Sequence, residues 1–163
     1  MGFRRAGAVA LVLAASAGLA DAQGVRTDRN VSMAMALAIM TAAMDQCVKD
    51  GHHVSVAVLD RAGQMVAFLR GDDTAPHTVE LARRKAYTAR TFRRPSAEWA
   101  ARTAEGPLAP QRSLADVIPL GGGLPINVGD DTIGAVGVSG APGQDKDEAC
   151  ARAGLAKVAD QLK

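Results

Sequence analysis

The stretch His77-Thr-Val-Glu-Leu-Ala-Arg-Arg-Lys85 places an imidazole within about two helical turns of two guanidiniums and an ammonium, Arg83, Arg84 and Lys85. Imidazole is the side chain that most readily ligates a metal or moves a proton near neutral pH. Guanidinium binds carboxylates through two parallel hydrogen bonds. Two chemistries follow. His77 can ligate an iron whose carrier bears carboxylates, which Arg83, Arg84 or Lys85 then meet. Alternatively, His77 is a general base acting on a small oxygenated carboxylate metabolite held by Lys85 or Arg84, which would make His77 and Lys85 the catalytic pair. In either case Gly121, Gly122, Gly123 and Ser139, which offer little side-chain bulk, are expected to line the same hollow. His52 and His53 are a second imidazole pair, in a turn.

Other chemistries lack their residues. Gly134, Gly137 and Gly140 are not followed by the Gly-Lys-Ser/Thr of a phosphate loop. Gly137-Val-Ser-Gly140 is followed by Ala141, and every histidine precedes Ser139, so a nucleophile elbow with its triad is not formed. Cys47 and Cys150 lack the paired ligand spacing of a zinc site. Net charge is only +2, and the one basic cluster runs from Arg83 to Arg94, the pattern of a solvated helix face rather than a nucleic-acid surface.

The elements that must position these residues follow from periodicity. Thr27 to Asp50 predicts a helix, with Met33, Leu37, Met40, Met44 and Cys47 as its buried stripe and Gly51 as its stop. Val54–Asp60 and Gln64–Arg70 predict a hairpin closed by a type I turn with Gly63 left-handed. Both faces of the first strand are apolar, which calls for helices on both sides of the sheet. His77 to Thr91 predicts a helix striped by Val79, Ala82, Ala86 and Ala89, and a short helix follows from Ser96. Asp116–Leu120, Leu124–Val128 and Thr132–Ser139 complete a mostly antiparallel sheet of about five strands in an α+β fold. Asp145 with Glu148 predicts a capping box opening the last helix. Aromatics are 3% of the chain against 48% hydrophobic residues, so the core is aliphatic.

Residues 1–22 have the pattern of a signal peptide: Arg4 and Arg5, an apolar run from Ala6 to Ala20, and a small-residue cleavage site at Ala20-Asp-Ala22. The run is shorter than the roughly 20 residues that span a bilayer. Residues 23–163 are then a single periplasmic or secreted domain with no membrane attachment after cleavage. In an oxidising compartment Cys47 and Cys150 are candidates for a disulfide, which sequence alone leaves open.

Val54-Ser-Val-Ala-Val-Leu-Asp60, Ala82-Arg-Arg-Lys-Ala-Tyr-Thr-Ala89, Gly121-Gly-Gly-Leu-Pro-Ile126 and Ile133-Gly-Ala-Val-Gly-Val-Ser-Gly140, in this order and spacing, resemble the GlcG/HbpS haem-binding family, related to the PduO carboxy-terminal domain. The resemblance covers the chain from about Thr27 onward. It implies a profilin-like three-layer fold, assembly into homo-oligomers, and haem as cofactor, with a sequestering, sensing or slow haem-degrading role outside the cytoplasm. It also marks Lys85, Gly121, Gly122, Ser139 and Gly140 as pattern positions.

Overall fold

The computed structural model describes Gly2 and residues 24–163; the expected signal peptide otherwise lies outside the described residues. Among them, no helix is long and apolar enough to cross a membrane.

Four strands form one antiparallel sheet in the order β2-β1-β4-β3: β1 (Ser55–Leu59), β2 (Met65–Arg70), β3 (Gly123–Val128) and β4 (Asp131–Ser139). The fifth expected strand is absent among the described residues. Asp116–Leu120 instead lies along α2 (Thr78–Phe92), where Thr88 Oγ1 accepts from the Ile118 backbone at 2.9 Å, so a side chain takes the place of a strand partner. The β1–β2 turn closes as the sequence predicts. Gly63 sits at φ 77° and donates to the Asp60 carbonyl at 3.0 Å, while Asp60 Oδ1 accepts from Gln64 at 2.8 Å.

Strand alternation divides the core in two. Val56, Val58, Val136 and Val138 face α1 (Met33–Lys49) and α4 (Gln144–Lys157). Leu59 and Ala135 face the alanines of α2, with α3 (Ser96–Arg102) beside it. The helices therefore cover both sheet faces, as the two-sided apolar pattern of β1 requires.

The α1 stripe is rotated from the predicted one. Ala36, Ile39, Met40, Ala43 and Cys47 are buried, whereas Met33 and Leu37 are 53% and 47% exposed. Small residues decide the rotation, because α1 lies close against α4: a Cβ on Gly154 would stand 2.6 Å from the Ile39 carbonyl oxygen and 3.1 Å from Ala43 Cβ. Val79 on α2 is likewise exposed, while Ala82, Ala86 and Ala89 are buried.

Cys47 and Cys150 form a disulfide, Cα–Cα 5.5 Å, across the α1–α4 seam. It closes a loop spanning 103 positions. In the chain-entropy account such a loop contributes about 4–5 kcal/mol. The double variant Cys47→Ala/Cys150→Ala is therefore expected to lose stability of that order in urea unfolding. A loss under about 1 kcal/mol would mean that the seam holds without the bridge.

Candidate functional site

β1 begins where β4 ends, because the two strands run antiparallel with Ser55 opposite Ser139. Three segments meet at this end of the sheet: the turn after α1, the lead into α2, and the β4–α4 connection. They enclose an open cavity of about 530 Å³. His52, His53, His77, Lys85 and Ser139 all border it, so the two histidine clusters, 24 positions apart, come together. The first turns of α2 and α4 also line it, through Thr78 and Leu81 on one side and Gln144 and Asp147 on the other. Helix N-termini carry partial positive charge, so two of them give the cavity a field that favours anions.

The ring of His53 is fixed: its Nδ1 lies 3.0 Å from the Asp72 carbonyl oxygen. His77 is the N-cap residue of α2, is exposed, and makes no capping bond through its side chain. Among the described residues, no three His, Cys, Asp or Glu side chains are grouped to hold a metal ion by themselves.

Lys85 is buried and already partnered. Its Nζ donates to Asp147 Oδ2 at 2.7 Å and to the Val138 carbonyl at 3.1 Å, with the two side chains 3% and 5% exposed. Asp147 Oδ1 accepts from the Ala141 backbone at 3.0 Å, which pins the cavity wall to α4. Burial pushes the Asp147 carboxyl above its ordinary value, against the opposing pull of the Lys85 ammonium. Sequence reasoning missed Asp147. It placed the acids of this turn in a capping box, but α4 is capped at Gly143 without a side-chain bond, and Glu148 pairs with Arg152 along the helix. The available signal was a lysine on an otherwise alanine-lined helix face, which demands a buried acid.

The remaining candidates stand outside the cavity. Arg83 bonds Glu80 at 2.7 Å and Asp116 at 2.6 Å on the surface, and the Arg83 hydrogen bond holds the Glu80 carboxyl below its usual range. Arg84 donates to the Val117 carbonyl, and its Nε is buried without a partner among the described residues. None of Gly121, Gly122 and Gly123 lines the hollow: Gly122 and Gly123 pack behind Lys85, and Gly121 packs against Ala97 and Gln144. Gly121 N bonds Gln144 Oε1, a Cβ on Gly122 would meet Asp147 Cβ at 2.8 Å, and one on Gly123 would collide with the Lys85 carbonyl. Gly122 thus makes room for the ion pair and Gly123 for the backbone of Lys85. Gly122 touches the site through that pair, and Gly121 touches it through Gln144.

Comparison with known proteins gives this arrangement its relatives. The family described as "Haem degrading protein HbpS-like" matches residues 31–156. Protein GlcG of Escherichia coli strain K12 is 35% identical over 115 residues, 71% of this chain and 85% of GlcG. The crystal structure of a Streptomyces reticuli HbpS double mutant superposes with TM-score 0.78 at 35% identity, covering 92% of this chain and 97% of that one. The crystal structure of a PduOC:heme complex shares the fold at TM-score 0.71 and 23% identity, over 78% of this chain and 94% of that one. A matched region that holds the whole sheet, the four helices up to the last residue of α4, and every cavity residue makes this chain a member of the HbpS-like family.

Proposed function

We propose that this protein binds haem in the cavity at the β1–β4 end of the sheet. The observation that carries the reading is the convergence of His52, His53 and His77 on one hollow, in a chain of this family. The residues present fit the group. The cavity volume falls inside the roughly 300–1,000 Å³ of cofactor sites. An iron carried in a macrocycle needs only an axial protein ligand, so ungrouped histidines suffice where a bare ion would lack donors. A cavity imidazole, His77 being the one singled out by the sequence, would hold the iron. The two helix N-termini would attract the propionates, a task that Arg83 and Arg84, facing elsewhere, do not take. The heme complex of PduOC, a protein of the same fold, lends the reading support.

We place the protein outside the cytoplasm as a homo-oligomer that sequesters, senses or slowly degrades haem. The signal-peptide pattern and the Cys47–Cys150 bridge support export.

Adding hemin to the ligand-free protein is expected to shift and sharpen the Soret band with a stoichiometric end point. A spectrum unchanged from free hemin ends the proposal.

A second reading, a small oxygenated carboxylate as the ligand, is favoured by the same two helix N-termini. It predicts that small hydroxy acids raise the melting temperature without haem, as ligands of the folded state do. The haem reading predicts that hemin raises it more than they do. Lys85, tied to Asp147, is not free to hold that carboxylate.

A further inference from the structure

We infer that His53 supplies the imidazole that meets the iron, and that the Gly71–Thr74 turn is the element that positions it. This rests on the haem reading above.

The tautomer is dictated by chemistry. The Asp72 carbonyl can only accept, so the His53 nitrogen 3.0 Å away, Nδ1, must carry the hydrogen. In the neutral ring this leaves the lone pair on Nε2, and the bond restricts rotation of the ring. Metal-bound histidines almost always donate their other N–H to a carbonyl or carboxylate, which sets the tautomer and raises basicity. Among the described residues, His53 is the cavity histidine so arranged.

The turn that carries the Asp72 carbonyl is itself held. Gly71 donates its backbone N–H to the Val54 carbonyl at 2.9 Å. Thr74 Oγ1 donates to the Gly71 carbonyl at 2.7 Å and lies 3.3 Å from the Val54 carbonyl. Arg70 Nη2 clamps the Thr74 carbonyl at 2.8 Å. Thr74 is 3% exposed, a buried hydroxyl with its bonds satisfied inside the turn. His53 precedes Val54 directly, so ring and carbonyl are both referenced to the same strand start. Thr74 is a positioning residue: it fixes the turn that fixes the carbonyl that fixes the ring.

The test is hemin titration of the wild type and of His53→Ala, His77→Ala, Thr74→Val and Thr74→Ser, read by absorption and by low-temperature electron paramagnetic resonance. His53 is exposed, so its truncation leaves the fold intact, and circular dichroism checks this. The wild type is expected to give the spectrum of imidazole-bound iron. His53→Ala loses that signature and recovers it on adding free imidazole. Thr74→Val weakens binding about 10- to 100-fold with a heterogeneous iron signal, the effect usual for an outer-shell partner. Thr74→Ser behaves as wild type. If His53→Ala keeps the wild-type spectrum while His77→Ala loses it, the assignment to His53 is overturned and haem binding stands. If Thr74→Val keeps both affinity and signal, the positioning role is overturned. A wild type that leaves hemin unchanged overturns the haem reading and this inference with it.

Discussion

Replacing Lys85 by methionine is expected to destabilise the protein by about 3–5 kcal/mol, the cost of leaving one charge of a buried pair without its partner. Asp147, its side chain 5% exposed, would keep the Ala141 backbone bond but lose the ammonium 2.7 Å away. The Val138 carbonyl would lose a donor as well. Urea unfolding of Lys85→Met, of Asp147→Leu and of the double variant separates the pair from its surroundings. The double variant is expected to recover most of the single losses, because two apolar side chains no longer bury an orphan charge. Single losses below about 1 kcal/mol would place the pair in the class of exposed ion pairs, and the buried arrangement described above would be wrong.

Gly137→Ala is expected to cost at least about 3 kcal/mol, the upper end for overpacking. A Cβ there would strike the Ala82 carbonyl and stand 2.6 Å from the Ala86 backbone nitrogen. Neither neighbour is a flexible side chain, so relief requires α2 to lift from the sheet. That helix carries Lys85 and is capped by His77, and its displacement would open the cavity as well as weaken the core. The checks are the unfolding midpoint and the soluble yield; an alanine variant of wild-type stability would contradict the close approach of α2 to β4.

Much of this architecture was legible in residue order. Alternation with apolar character on both faces of β1 announced the two helical layers, and the Asp60–Gly63 turn announced the hairpin. Gly134 and Gly137 are weak strand residues by propensity, and Gly137 meets the backbone of α2. Tertiary choices were not legible. The α1 stripe could be drawn through Met33 and Leu37 or through Ala36 and Ala43, and only the proximity of Gly154 on α4 selects the second. Asp116–Leu120 looked like a strand but found its hydrogen bonds on Thr88, a partner 30 positions away.

The site was legible in part for a similar reason. His77, Lys85 and Ser139 do meet at one cavity, since α2 and the end of β4 lie side by side. Arg83 and Arg84, next to Lys85 in sequence, leave the cavity because successive helical residues are about 100° apart. The turn before Val117 and the first carbonyl after that turn take them: Asp116 pairs with Arg83, and the Val117 carbonyl accepts from Arg84. The glycine triplet turned out to support a lysine. Gly122 and Gly123 stand where a side chain would strike Asp147 and the Lys85 backbone, a closeness that no local pattern discloses.

Paramagnetic broadening by hemin tests the location of the site most directly. Titrating substoichiometric hemin into the ¹⁵N-labelled protein is predicted to erase first the amide resonances of His53, Asp73, Thr78 and Ala141, while those of Gly129 and of the exposed end of α1 near Met33 stay sharp. Broadening centred on the Gly129 turn or on α1, with the β1–β4 end untouched, would contradict the account.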